Sequence, residues 1–163
     1  MLPDGTRLVT RALEPTDRWA VEAVFAGLGE HSRYTRFGGA KPRLSENELR
    51  YLTEVDHHDH EALLALDEES GRPVAVARFV RDAADPGTAE LALAVADEWQ
   101  GRSLGSVLTQ LLACRARAER IERFRADVLQ SNERAIALIK RLGEVVRYAF
   151  AGGSLELVVE LAR

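Results

Sequence analysis

The sequence predicts an α+β fold with about seven strands and four helices, in the order β-α-α-β-β-β-α-β-α-β-β. Three observations carry this reading. Short apolar runs bounded by Gly, Pro, Asp and Ser recur as strands. Other segments space their apolar residues at i, i+3 and i+4, as amphipathic helices do. The 163 residues, 46% of them apolar and 29% charged, suit a single domain, 1–163, that buries about two thirds of its unfolded surface around one core.

Arg7 to Leu13 reads as the first strand, and Pro15, Thr16 and Asp17 supply helix-start chemistry before a helix over Trp19 to Leu28, closed by Gly27 and Gly29. Residues 30 to 43 form a loop rich in Gly, Arg and aromatics. A second helix begins at Ser45, with Glu46 and Glu48 completing a capped start and Leu44, Leu49 and Leu52 forming its stripe. Glu61 to Leu66, Pro73 to Arg81 and Thr88 to Ala96 are strands separated by the turn-rich pieces DEESGR and DAADPG, which predicts an antiparallel meander. Leu104, Val107, Leu108, Leu111, Leu112 and Arg115 mark a long helix. Arg123 to Leu129 is a strand, and Asn132 caps a helix whose Ala135, Ile136, Ile139 and Leu142 share a face before Gly143 stops it. Val145 to Phe150 and Leu155 to Leu161 close the chain as a hairpin turning at AGGS.

The net charge of −4 and pI near 5.6 argue against a nucleic-acid partner, because counterion release needs a basic surface. The first residues lack the basic and apolar regions of an export signal, and no run of about 18 apolar residues exists to span a membrane. A cytoplasmic protein is expected. Cys114, the one cysteine, falls in an apolar helical pattern and reads as a small core residue.

The stretch EWQGRSLGSVL, residues 98–108, places glycines between a strand and the long helix. Such a junction gathers free backbone N–H groups and the positive end of a helix dipole at one point, which is a site for an anion. Gly101 and Gly105 let the backbone come close, and Arg102 adds a charged donor. Neither G-x-x-x-x-G-K-[ST] nor G-x-G-x-x-G is present. Gln100-Gly101-Arg102-Ser103-Leu104-Gly105 instead resembles Q-x-x-G-x-G/A, the coenzyme-A pyrophosphate loop of the GNAT superfamily of N-acetyltransferases, with serine at the middle glycine. VARFVRDAADPGTAELALAVADEWQGRSLGSVL and ERFRADVLQSNERAIALIKRLG, with SRYTRF upstream, resemble the acetyltransferase domain of bacterial protein-lysine acetyltransferases of the actinobacterial type.

That resemblance implies a GNAT fold with a mixed, mostly antiparallel central sheet. It implies acetyl-CoA as co-substrate, no metal, and a primary amine as acceptor, most simply a protein lysine side chain, reached by direct transfer in a ternary complex. A small-molecule amine acceptor and a non-catalytic acyl-CoA-binding sensor are the alternatives. Lysine, with a pKa near 10.4, is only about one part in a thousand neutral at physiological pH, so a base must take its proton. Glu90 is the candidate: in a regular strand it shares one face with Ala92, Ala94 and Ala96, whose small side chains leave room for a pantetheine arm. By resemblance the matching glutamate is the family's general base. The resemblance also implies that the backbone of Leu93, Ala94 and Val95 holds the pantetheine, with the Val95 N–H polarising the acetyl carbonyl. Gln100, Gly101, Arg102, Ser103, Leu104, Gly105 and Ser106 would cradle the pyrophosphate. Asn132 matches an asparagine that contacts the pantetheine arm, and it also reads as a plain helix cap. Many superfamily members place a tyrosine where this chain has Ile139, so the acid that protonates the leaving thiolate is unassigned; water or Ser131 would serve.

Asp56-His57-His58-Asp59-His60 reads as a hydrophilic turn rather than a metal site, and the resemblance implies that His60 borders the acceptor cleft. Arg115, Arg117, Arg120, Arg123 and Arg125 read as a solvated face interleaved with Glu119 and Glu122. Ser32, Arg33, Tyr34, Arg36 and Phe37 fall in the loop that, by the resemblance, shapes the acceptor site and is expected to choose the acceptor; plain loop packing is the equal alternative. The oligomeric state is open.

Overall fold

The structure, a computed structural model, describes residues 1–29 and 44–162. Strand β1 (Leu8–Ala12) leads through a 3-10 turn (Pro15–Asp17) into helix α1 (Arg18–Ala26), and helix α2 (Glu46–Thr53) follows. Strands β2 (His60–Asp67), β3 (Pro73–Arg81) and β4 (Thr88–Val95) come next. A 3-10 turn (Asp97–Trp99) then precedes α3 (Leu104–Ala118), β5 (Arg123–Leu129), α4 (Glu133–Lys140), β6 (Gly143–Ala151) and β7 (Ser154–Leu161). Among the described residues the predicted order of strands and helices is the observed one. The acceptor-loop residues Ser32, Arg33, Tyr34, Arg36 and Phe37 lie outside the described residues.

The seven strands form one sheet in the order β1-β2-β3-β4-β5-β7-β6. Every neighbouring pair is antiparallel except β4–β5, which is parallel. One face packs on α3 and α4 through Phe79, Leu91, Leu104, Leu108, Leu112, Phe124 and Leu157; the other packs on α1 and α2 through Val21, Val24, Leu49, Leu64 and Val76. Helix α2 spans only eight residues, too few to be stable alone. A reciprocal cap starts it, with Glu48 N–H donating to Ser45 Oγ at 3.2 Å and Ser45 N–H to Glu48 Oε1 at 3.0 Å.

Three details depart from the sequence reading. In α3 the buried stripe is Leu104, Leu108, Leu112 and Ala116 with Thr109 and Ala113, while Val107 and Leu111 are 37% and 41% exposed. Thr109 tolerates burial because its hydroxyl donates to the Gly105 carbonyl at 2.8 Å. Cys114 is exposed rather than core, on the outward side of that helix, where an Arg117 Nη2 lies 3.1 Å from its sulfur. Gly143 does not terminate α4, which ends at Lys140; it opens β6, at a place where a Cβ would overlap the Glu160 carbonyl of β7.

Candidate active site

The sheet splits at one point. Strand β4 pairs with β3 from Ala89 to Val95, but its parallel pairing with β5 covers only Thr88–Arg123, Ala89–Phe124 and Glu90–Arg125. Beyond Glu90 the two strands separate, so one edge of Leu91 to Val95 faces open space. The Ala96 N–H donates to the Val74 carbonyl on the β3 side at 2.9 Å. Backbone direction alternates along a strand, so the N–H groups of Leu91, Leu93 and Val95 point the other way, into the opening. Gln100 Nε2 donates to the Val95 carbonyl at 3.1 Å, which places that peptide edge on the same side.

The opening is a cleft of about 940 Å³. Its floor is Leu93, Ala94 and Val95, and Glu90 sits at one end. At the other end stand Gln100, Gly101, Ser103, Leu104, Gly105 and Ser106, with Asn132 on the opposite wall. Of the residues singled out from the sequence for cofactor and catalysis, Arg102 alone does not line it. Its Nε donates to Asp4 Oδ2 at 2.9 Å and its Nη2 to Thr6 Oγ1 at 2.6 Å, and the guanidinium lies 4.1 Å from the centre of the Trp99 ring. Arg134, in the first turn of α4, lines the cleft instead, and its Nη1 lies 3.8 Å from where a Gly101 Cβ would be. Nothing in the linear spacing marks Arg134, because the sheet, not the loop, brings α4 beside Gly101.

The mouth of α3 is built for an anion. The Ser103 side chain at its N-cap makes no bond to the first turn, which leaves those backbone donors available to solvent or a ligand. Gly101 takes φ +75°, a left-handed conformation. Ser103 does the same at φ 69°, ψ 7°, in the place where the family pattern has glycine. Gly105 lets the helix approach β4 closely: an added Cβ would stand 3.0 Å from Leu93 Cδ2 and 3.4 Å from Leu138 Cδ1. The open donors, the two left-handed residues, the missing Cβ and the Arg134 cation together fit a diphosphate.

The mouth is tied to the end of α1. Asp97 accepts from the Gly29 N–H at 2.9 Å through Oδ2, its own N–H donates to the Gly27 carbonyl at 2.9 Å, and Gln100 Nε2 reaches Asp97 Oδ1 at 3.3 Å. Asp97 and Glu98 are turn residues, as expected. Asn132 caps α4, accepting from the Ala135 N–H at 3.2 Å, while also lining the cleft. Ser131 and Ile139 line it too. Ile139 is 3% exposed and carries no proton.

At the Glu90 end, Arg125 Nη1 donates to Asp82 Oδ2 at 2.9 Å, and its Nη2 lies 3.8 Å from Glu90 Oε2. The bond to Asp82, helped by the Glu90 charge, holds Arg125 above its usual range. His60 does not line this cleft. It is buried two strands away, in register with Val80 and through it with Glu90, and Arg78 Nη1 donates to its Nε2 at 3.0 Å. Burial and the Arg78 charge push its pKa down to about 4. Asp56 organises the turn before β2, its Oδ1 accepting from the N–H groups of His58, Asp59 and His60 at 2.8–2.9 Å. The three histidines address different partners: His57 meets Glu61, His58 meets Glu119 and His60 meets Arg78. Four of the five arginines named earlier are likewise engaged, Arg115 with Glu61, Arg117 with the Ala162 carbonyl, Arg123 with Thr88 and Arg125 with Asp82. No helix among the described residues is long and apolar enough to cross a membrane.

Comparison with known proteins follows this geometry. Residues 29–143 match the acetyltransferase (GNAT) family. Over 97 residues, 60% of this chain, the sequence is 39% identical to acetyltransferase Pat of Mycolicibacterium smegmatis, a stretch that makes up 29% of that protein. The GNAT domain of S. lividans PAT superposes with a TM-score of 0.90 at 29% identity, covering 98% of this chain and 94% of that one. A cAMP-binding acyltransferase from Mycobacterium smegmatis superposes with a TM-score of 0.68 at 28% identity, covering 99% of this chain and 46% of that one. This chain therefore spans under half the length of those two mycobacterial proteins.

Proposed function

The chain belongs to the acetyltransferase (GNAT) family, and from that premise we propose that it moves an acetyl group from acetyl-CoA to a protein lysine side chain, directly, within a ternary complex. The observation that carries this reading is the single cleft joining an uncapped, left-handed helix mouth to a glutamate along the open edge of β4. Acetyl-CoA supplies an acyl thioester. The mouth of α3 and Arg134 hold its diphosphate, and the edge of β4 takes its pantetheine in the manner of an added strand. The Val95 N–H polarises the acyl carbonyl, a preorganised donor where negative charge develops.

Glu90 removes the proton that the lysine ammonium must lose before its nitrogen can attack. The new N–C bond forms as the C–S bond breaks, the thiolate leaves, and the nitrogen, becoming an amide, gives up the second proton that the thiolate takes up. A thiol pKa of about 8.5 makes it a fair leaving group without a strong acid, and the Ser131 hydroxyl in the cleft wall or water returns a proton to it. The sequence resemblance to bacterial protein-lysine acetyltransferases supports a protein acceptor over a small amine.

The test pairs binding with turnover. Thiol release from acetyl-CoA is measured with poly-L-lysine, a panel of lysine-bearing proteins and spermidine, and acetyl-CoA affinity by calorimetry. Glu90→Gln should lower turnover about 100-fold, the low end for a positioned general base, and leave acetyl-CoA affinity within about twofold. Full activity in that variant rejects the role of Glu90; binding with no acceptor-dependent thiol release identifies a sensor; release with spermidine alone transfers the assignment to small amines.

A further inference from the structure

The last residue pair before β4 and β5 separate is Glu90–Arg125, so the two side chains stand together at the apex of the fork. Arg125 is not loose there. Its Nη1 is fixed by Asp82 Oδ2 at 2.9 Å, and Asp82 is itself fixed, its Oδ1 accepting from the Ala84 N–H at 2.8 Å and its N–H donating to the Thr88 carbonyl at 2.9 Å. The guanidinium, reaching out from β5, is thus anchored to the turn between β3 and β4 by one nitrogen and faces Glu90 with the other. The Glu90 side chain is 53% exposed, and among the described residues Arg125 is its one ion-pair partner.

We propose that Arg125, anchored by Asp82, is a positioning residue that holds the Glu90 carboxylate in the fork where the acceptor amine arrives. The inference rests on Glu90 acting as the base. An exposed glutamate samples several rotamers, and fixing it in one costs side-chain entropy. A base that is misplaced by about 1 Å loses on the order of 100-fold in rate. At 3.8 Å the contact orients the carboxylate by charge without occupying its lone pairs in a tight bidentate bond, so both oxygens stay open to the amine proton. The rigid fork of a guanidinium suits this double duty because it can meet two carboxylates at once from one plane; an ammonium presents a single point charge.

The experiment is a double-mutant cycle read by steady-state thiol release with acetyl-CoA and poly-L-lysine, with thermal melts of every variant. Arg125→Gln should lower kcat about 10-fold and leave KM for acetyl-CoA within about twofold, and Asp82→Asn should act in the same direction more weakly. Arg125→Lys should recover part of the loss. In a Glu90→Gln background Arg125→Gln should add nothing further, since it acts through the group already removed. A turnover-independent reading comes from carbon-13 NMR of the glutamate side-chain carboxyls. The Glu90 resonance, identified by its disappearance in Glu90→Gln, should move in both Arg125→Gln and Asp82→Asn. Equal losses with and without Glu90, a change confined to KM for acetyl-CoA, or an unmoved resonance would overturn the proposal. Unchanged turnover in Glu90→Gln alone would instead overturn the reading of Glu90 as the base.

Discussion

Ser103 occupies a backbone conformation that L-residues adopt at a cost of about 1–2 kcal/mol, because the left-handed region brings Cβ against the following carbonyl oxygen. Its side chain makes no cap bond in return. The strain exists because the chain must turn sharply enough to aim the first N–H groups of α3 at a single point. Glycine would adopt the same angles freely, at the expense of a more disordered unfolded chain. The balance favours glycine, so Ser103→Gly should raise unfolding free energy by about 0.5–1 kcal/mol, with acetyl-CoA affinity equal or better. Urea titration checks the first part and calorimetry the second. A lower stability would mean that the serine hydroxyl does something the geometry does not reveal.

Between elements, the deciding quantity is how closely α3 approaches β4. Gly105 sets that distance, and an added Cβ would press on Leu93 Cδ2 at 3.0 Å, a flexible side-chain end that can give by tenths of an ångström. Gly105→Ala should therefore be nearly neutral, its crowding offset by about 1 kcal/mol of helix propensity. Gly105→Leu should push the helix mouth off the strand and weaken acetyl-CoA binding at least about 10-fold; binding at the wild-type level would show that the close approach is dispensable. These elements were legible to different degrees for physical reasons. Strands β3 and β5 fall on the residues expected, β3 because the turn-rich pieces DEESGR and DAADPG bound it on both sides. Helix α3 was read as a helix, but its buried face was not, since tertiary packing and the Thr109 back-bond chose among several apolar positions. In the site, Gly105 follows from its place at a strand-to-helix junction and Glu90 from its strand face, while Gln100 rests on the resemblance to the family's loop. Arg102 and Arg134 exchange places because Asp4 captures Arg102 from 98 residues away, and because a parallel strand pairing brings α4 to Gly101. Such contacts belong to topology and leave no local pattern.

Across the whole molecule, the histidines before β2 should make stability peak near neutral pH. His60 is buried against the sheet with the ring of Tyr51 at 5.2 Å, and it accepts from Arg78, which also donates to the Leu52 carbonyl at the end of α2. Protonating it would set two cations together in a closed space, and Asp56 and Glu61 offset that only in part. Its folded pKa of about 4 lies below the ordinary histidine value of 6.5, so its contribution is complete above pH 6.5 and is lost as pH falls toward 4. At 1.4 kcal/mol per unit the loss approaches about 3 kcal/mol. His57 has the opposite sign. Its bond to Glu61, only partly opposed by burial, raises its pKa, so its contribution is complete below pH 6.5 and fades as pH rises through the raised value. The acid-side carboxylates act lower still: Asp17, held down first by Arg11, and Glu61, where His57 and Arg115 outweigh burial, lose their contribution as pH falls below about 4. Urea melts from pH 4.5 to 8.5 should therefore show a maximum near pH 6.5 in the wild type. In His60→Gln the acid-side slope should flatten, and in His57→Gln the alkaline slope should shrink. An undiminished acid slope in His60→Gln would show that protonation of the His60–Arg78 pair is not what loosens α2 from the sheet.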